Sequence, residues 1–314
     1  MNIMTERPKL FMLIGLPGSG KTEKAKQLIN DYDCKNHSSD NYRVDMFGDV
    51  DIQSKNGELF TNLQRNVRDD LSKGYNVVYD ATNISYKKRK AFLQSLNKID
   101  CEKIAIVIAT PYEVCLEQNK LRDRKVPDKV IERMYRNFDI PYYYEGWDKI
   151  IIHYNQDEYR GLYGYAVNYI VSINDYDQCN EHHTFTLGEH CTACRDIVAK
   201  HLEESKNKLA LLFAAHFHDC GKPFCQTFIN GKGQVDKNAH YYNHEKVGSY
   251  NFLFYKNSVL SEAEVLYASM LIRWHMQMYF IDKEPHTEKK YRNLLGNDIY
   301  NDLIILHKGD KEAH

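Results

Sequence analysis

Residues 9–22 read KLFMLIGLPGSGKT, an apolar run of strand length that passes directly into glycines and the corner Gly20-Lys21-Thr22. The run lacks polar alternation, as expected of a strand covered on both faces in a parallel sheet. Gly15-Leu16-Pro17-Gly18-Ser19-Gly20-Lys21-Thr22 is a complete GxxxxGK[ST] set between a strand and a helix. In such a loop successive backbone N–H groups turn toward phosphate oxygens and the helix N-terminus adds its dipole. Lys21 neutralises charge and the Thr22 hydroxyl ligates Mg²⁺. The stretch therefore predicts binding of ATP, or another nucleoside triphosphate, together with Mg²⁺.

Working outward, YNVVYDA, KIAIVIAT and KIIIHY are further apolar runs, separated by EKAKQLIND and KKRKAFLQSL with helical spacing. Strands alternating with helices imply βαβ units, hence an α/β domain with a parallel sheet flanked by helices. From residue 181 the pattern becomes helical, in EHCTACRDIVAKHLEE, NKLALLFAAHF, HEKVGSYNFLFYK, SEAEVLYASMLIRWHMQMY and NDLIILHKG. The expected division is a first domain over 1–155, a Tyr-rich linker or bridging segment over 156–180, and an all-α domain over 181–314.

The formal net charge of −1 excludes a generally basic nucleic-acid coat, though not a local basic groove. No stretch approaches the roughly 18 uninterrupted apolar residues of a membrane span. The start resembles no signal peptide, and eight scattered cysteines suit reduced thiols, so a cytoplasmic protein with no membrane partner is expected. Histidine is distributed unevenly, with 12 of 14 at or beyond His182, which points to metal chemistry in the second half.

In the first half, SSDNYR follows the second expected strand. On residue type alone Asp40 reads first as a helix N-cap, but a carboxylate there can also accept the proton of an attacking hydroxyl, and Arg43 can clamp an acceptor's anionic group. VVYDATN sets Asp80 at a strand end, where a carboxylate would hold the Mg²⁺ water shell, with Asn83 beside it. Arg122 and Arg124 lie in a charged run before Pro127 that suits a solvated helix or a lid over transferring phosphoryl oxygens.

GLPGSGKT, DNYR, YDATN and RDRKVPDKVIERMY with a following proline, in this order, resemble the kinase domain of polynucleotide 5′-hydroxyl kinases over residues 9–154. The resemblance implies that Lys21 binds phosphate and that Asp40 is the general base for a 5′-OH. It makes Arg43, Asp80 and Asn83 substrate contacts. Arg122 and Arg124 would be lid residues on the nucleotide, with Arg124 the preferred transition-state group.

In the second half, LLFAAHFHDCGKP ends an apolar run on His218-Asp219. In isolation such a pair reads as a buried polar couple. His190, His244, His275 and Asp310 also fall on or beside expected helices, and imidazoles with carboxylates converging from several helices suit a borderline divalent cation. The order His190, His218-Asp219, His244, His275, Asp310, with a step of 28 residues from the first histidine to the pair, resembles the HD-domain phosphohydrolase superfamily over residues 181–312. The resemblance implies one or two transition metals (Mn, Co, Ni, Fe or Zn), the second shared through Asp219. It makes His183 a substrate or outer residue and gives Lys222 the role of neutralising a substrate phosphate. Water made more acidic by the metals would attack phosphorus. Together the halves suggest an enzyme that heals RNA or DNA ends, alongside a separate ligase. The alternative is a small-molecule nucleoside or nucleotide kinase fused to an HD nucleotidase.

Overall fold

The computed structural model describes residues 7–52, 54–154, 173–179, 184–254 and 259–313. The chain forms two compact units, Met1–Ile131 with Pro141–Tyr154, and Glu132–Ile140 with Asn155–His314.

In the first unit, β1 (Lys9–Ile14), α1 (Lys21–Tyr32), β2 (Lys35–Ser38), α2 (Ser39–Phe47), α3 (Asn56–Ser72), β3 (Val77–Asp80), α4 (Tyr86–Gln94), β4 (Glu102–Ala109), α5 (Tyr112–Lys120), α6 (Asp128–Tyr135) and β5 (Lys149–Tyr154) follow one another. The five strands are all parallel, in the order β2-β3-β1-β4-β5. Parallel neighbours need crossovers, and the intervening helices supply them. Phe11 and Leu13 on β1 pack with Val78, Ile104, Ile106 and Ile108 of adjoining strands and with Ala25 and Leu28 of α1. On α3 the buried residues Leu59, Leu63, Val67 and Leu71 recur every fourth position, which gives one apolar stripe to the core. The order reverses at β1, which lies between β3 and β4. That is where an open parallel sheet leaves a crevice beyond its strand ends.

A fully buried ion pair stiffens one wall of this crevice. Arg89 Nε and Nη2 donate to the Glu145 carboxylate at 2.8 and 2.6 Å, and Trp147 Nε1 donates to the same group at 3.0 Å. Arg89 Nη1 also donates to the Asn83 carbonyl at 2.8 Å, holding the loop that follows β3.

The second unit contains α7 (Leu187–Ala199), α8 (Lys208–Phe217), the single turn α9 (Lys222–Cys225), β6 (Thr227–Ile229), β7 (Val235–His240), α10 (His244–Phe252), α11 (Glu262–Lys283), α12 (Glu288–Leu295) and α13 (Asn297–Glu312). Capping boxes start α7, through Thr186 and Glu189, and α11, through Ser261 and Glu264. The segment Glu132–Ile140 packs within this unit: Tyr135 meets Tyr250 and Phe224 edge-on, and Arg273 Nη2 lies 2.7 Å from Asp139.

Two expectations need correction. The unit is helical but not all-α, because β6 and β7 form an antiparallel hairpin around Asn230-Gly231-Lys232-Gly233, a turn sequence with Gly233 at φ 77°. Helix ends also move: α7 stops at Ala199, α10 stops at Phe252, α11 runs on to Lys283 and α13 starts at Asn297. Of the segment 156–180 only Ile173–Cys179 falls within the described residues, and His183 lies outside them.

Candidate active sites

The phosphate loop occupies the turn from β1 to α1. Gly15 N–H bonds the Thr82 carbonyl at 3.1 Å, which ties the loop to the end of β3. Gly18 is left-handed (φ 79°), and a Cβ there would stand 2.3 Å from the Cys115 carbonyl of α5, so only glycine fits both the angle and the approach. Ser19 is wholly buried and its hydroxyl has no protein partner. Thr110 Oγ1 donates to the Ser19 carbonyl at 2.9 Å, which braces the loop from β4. Lys21 donates to the Leu16 carbonyl at 2.6 Å, folding its ammonium over the loop. Thr22 is exposed in the first turn of α1, and Pro17 closes the loop's outer bend. Loop amides, an ammonium and a hydroxyl at a helix start fit a triphosphate with Mg²⁺.

Across the loop, Asp80 ends β3 in register with Leu13. Burial pushes the Asp80 carboxyl up, against the opposing pull of Lys21, and burial pulls the Lys21 ammonium down, against Asp80. The charge of Arg122 lowers both groups. Asn83, in the left-handed region at φ 48°, donates from Nδ2 to the Leu13 carbonyl at 2.9 Å.

Asp40 is not the N-cap of α2. That position belongs to Ser38, and Asp40 sits in the first helical turn. Its Oδ1 accepts from Arg43 Nη1 at 3.0 Å and from Arg124 Nη1 at 2.8 Å. Arg43 is buried and its second amino group donates to Asn56 Oδ1 at 2.9 Å. Arg124 also donates from Nε to Asp51 Oδ1 at 2.8 Å. Burial works against its charge, but Asp51 and Asp40 outweigh it and raise the guanidinium further. The two arginines of this charged run thus separate: Arg124 engages the Asp40 carboxylate, and Arg122 exerts its charge on Lys21 and Asp80. Asp51 and Asn56 were not singled out in sequence, since neither belongs to a motif.

In the second unit six side chains from five separate segments meet in one place. His190 lies on α7, His218 follows α8, Asp219 follows His218, His244 opens α10, His275 lies on α11 and Asp310 on α13. Gly221 permits this, because a Cβ there would fall 2.0 Å from the His244 carbonyl, so the turn after His218-Asp219 can lie directly on α10. Gly309 lets α13 press on Val198 and Cys194 of α7, which brings Asp310 to His190.

All four imidazoles are held in the same way. Nδ1 of His190, His218, His244 and His275 meets the backbone carbonyls of Ala313, Ala215, Tyr241 and Ile272 at 2.8, 2.9, 2.7 and 2.7 Å. A carbonyl only accepts, so each Nδ1 carries hydrogen and each neutral ring turns an Nε2 lone pair inward. Nε2 of His190 stands 3.2 Å from that of His218, and Nε2 of His244 stands 3.3 Å from that of His275. Two lone pairs at that distance repel unless a proton or a metal cation lies between them.

The carboxylates complete both pairs. Asp310 Oδ1 is 3.2 and 3.3 Å from His190 and His218, and Asp219 Oδ2 is 3.5 and 3.4 Å from the same nitrogens. Asp219 Oδ1 is 3.0 and 3.5 Å from His244 and His275. Ligands about 2.0–2.2 Å from a cation stand about 3.0–3.5 Å apart, so the residues fit one divalent ion on each side of Asp219. His190-His218-Asp219 and Asp219-His244-His275 are each close enough to share an ion.

Charge in this site runs opposite to that of the phosphate loop. Burial favours neutral groups, yet Lys222 and His218 hold Asp219 well below the usual carboxylate range, and His218 with His190 does the same for Asp310. His218 is raised well above the ordinary imidazole, since Asp219 and Asp310 overcome its burial. Lys222 is buried and committed within the protein, 2.6 Å from Asp219 Oδ2 and donating to Gln178 Oε1 at 2.7 Å. Tyr279, which the motif omits, meets His307 edge-on at 4.5 Å, and burial together with the nearby Asp310 pushes its hydroxyl up.

The geometry of the first unit defines a P-loop, kinase-type α/β domain, and comparisons agree. The AAA domain family matches residues 10–141. L-seryl-tRNA(Sec) kinase of Methanococcus maripaludis is 27% identical over 53% of this chain and 66% of its own length. Protein kti12 of Schizosaccharomyces pombe is 27% identical over 44% of this chain and 54% of its own. The chain therefore spans less than two thirds of either relative. Among solved structures, one of the Pnkp1/Rnl/Hen1 RNA repair complex is similar over 42% of this chain and 44% of that one, at 23% identity and a TM-score of 0.38. A gluconokinase from Sinorhizobium meliloti 1021 is similar over 47% and 83%, at 14% identity and a TM-score of 0.33. Among the described residues no helix is long and apolar enough to cross a membrane.

Proposed function

We propose that the chain heals nucleic-acid ends: an ATP-dependent 5′-hydroxyl kinase in its first unit and, in its second, a metal-dependent HD phosphohydrolase that opens 2′,3′-cyclic phosphates or removes 3′-phosphates. The observation that carries this reading is the presence, on the same chain as a phosphate-loop kinase site, of four imidazoles whose Nε2 atoms are all aimed at two shared carboxylates.

In the kinase site Asp40 accepts the acceptor hydroxyl's proton as that oxygen bonds the γ-phosphorus and ADP departs. Arg124 and Arg43 hold the Asp40 carboxylate in place. Lys21 and Arg122 act on the transferring phosphoryl oxygens. In the second site His190, His218, Asp219 and Asp310 would hold one cation, and Asp219, His244 and His275 another. Such ions supply Lewis acidity toward a phosphoryl oxygen and make water more acidic. Lys222 balances the charge of Asp219, and Tyr279 stands near Asp310. Opposite chemistries on one chain avoid a futile cycle when they act on opposite ends of a break, which are then ready for a separate ligase.

The relative named as a kinase of L-seryl-tRNA favours a second reading of the first unit, in which the acceptor hydroxyl is carried by an aminoacyl group on RNA. The test supplies ATP and Mg²⁺ or Mn²⁺ with 5′-OH oligonucleotides, seryl-tRNA, nucleosides, and oligonucleotides ending in 3′-phosphate or 2′,3′-cyclic phosphate. Phosphorylation of 5′-OH ends and loss of the terminal phosphate support the proposal. Phosphorylation of seryl-tRNA alone supports the second reading, and turnover of nucleosides alone supports a small-molecule kinase. No change at either end overturns the proposal.

A further inference from the structure

The hairpin formed by β6 and β7 joins Lys222 and α9 to His244, so it connects two parts of the imidazole site, and no step above uses it. Tyr241, just past the end of β7, turns inward: its hydroxyl bonds the Gln178 carbonyl, its ring lies 5.6 Å from the Lys222 ammonium, and its own carbonyl accepts from His244 Nδ1. His240 and Tyr242, on either side of it in sequence, hold their rings parallel within 8° with their centroids 5.6 Å apart.

This pair is not part of a core. Tyr242 is 47% exposed, and on the same hairpin Phe228 and Val235 are 41% and 82% exposed. His240 is fixed by its edge, Nε2 lying 3.1 Å from Asp236 Oδ2, which sets the plane of the ring. The Tyr242 hydroxyl lies back toward the hairpin tip, near Gly231. The hairpin carries Lys232 and Lys237, both exposed, against the single acid Asp236. A parallel ring pair with one ring exposed, the half-buried His240 ring fixed behind it and adjacent cations is the combination that stacks a base and attracts its backbone. An apolar protein partner would have no use for the ring alignment or the lysines. Tyr242 is two residues from His244, at most about 7 Å along the chain, across a turn through the left-handed Asn243 (φ 64°), so a base stacked there has its phosphate close to the imidazoles.

We propose that His240 and Tyr242 form a stacking site for the terminal nucleobase of the strand whose phosphate enters the imidazole site. The inference rests on reading the second unit as a phosphohydrolase for nucleic-acid ends and names how that end is gripped. It makes the enzyme selective for a base-bearing end without selecting which base, because every base offers a π-face.

The test uses full-length protein and oligonucleotides with 2-aminopurine as the 3′-terminal base, read by fluorescence quenching without turnover in Ca²⁺. Quenching in the wild type that persists in Tyr242→Phe and is lost in Tyr242→Leu and Tyr242→Ala supports the site, with affinity about tenfold weaker, as expected for one stacked base. Quenching unchanged in Tyr242→Ala, or absent in the wild type, overturns it. A parallel assay in Mn²⁺ compares 3′-phosphate ends that carry a base with abasic ends. The wild type is expected to prefer the base-bearing end about tenfold and Tyr242→Leu to show no preference; an equal preference in both proteins overturns the site. Quenching with no phosphate release from either end retains the stacking site and rejects the phosphohydrolase reading.

Discussion

The two sites hold opposite charge problems in the same chain. At the phosphate loop, burial pulls the Lys21 ammonium down and pushes the Asp80 carboxyl up, and a buried Ser19 hydroxyl has no protein partner: the loop has donors to spare and suits an anion. At the imidazole site, Asp219 and Asp310 are held ionised among inward lone pairs, so the cluster has acceptors to spare and suits cations. The first site is made mostly from consecutive residues at strand ends, and the second from single residues on separate helices. Each can therefore be disabled without the other.

The largest expected effect is in Asp219→Ala, which removes the one carboxylate facing both imidazole pairs. Release of terminal phosphate should fall to background while 5′ phosphorylation stays at the wild-type rate. A loss of both activities would show that the sites do not act separately. Asp40→Ala should do the reverse, slowing phosphoryl transfer by about 10²–10⁴-fold, the usual contribution of a general base, with phosphate release unchanged. Single-turnover rates at saturating ATP measure this directly.

A structural counterpart is Glu145→Ala. It leaves the Arg89 guanidinium buried without its partner, a loss of about 3–5 kcal/mol. Calorimetry should show the destabilised transition in the unit that binds ATP, and a matching fall in the transition stabilised by divalent metal would contradict two independent units. The smallest change concerns Tyr279→Phe, which removes only the hydroxyl that Asp310 influences. Loss of an outer contact of this kind weakens metal binding by about 10–100-fold. Titration with Mn²⁺ is expected to show that decrease with ATP affinity unchanged.

The contrast also explains what could be read from the chain. The parallel sheet was legible because each buried strand is an unbroken apolar run, and the phosphate loop because its residues are contiguous. His190, His218, Asp219, His244, His275 and Asp310 were legible only by residue type and order. Their convergence depends on close approaches at Gly221 and Gly309 that no local pattern announces. The hairpin was missed because β6 has three residues and β7 is polar, leaving Asn230-Gly231-Lys232-Gly233 as its one clear signal. Arg122 and Arg124 are two residues apart in a charged run, so only their spatial partners, Lys21 with Asp80 for one and Asp40 with Asp51 for the other, tell them apart. Asp51, Gln178 and Tyr279 act through tertiary contacts at long sequence separation and belong to no motif.

The central claim is that the inward-facing imidazoles hold divalent cations on either side of Asp219. Metal analysis of the purified chain, dialysed against Mn²⁺ without nucleotide, tests it most directly. The account predicts about two ions per chain in the wild type, as the paired donor geometry requires, and a clear loss in Asp219→Ala with ATP binding intact. A wild-type protein that binds ATP but retains no divalent ion would contradict it.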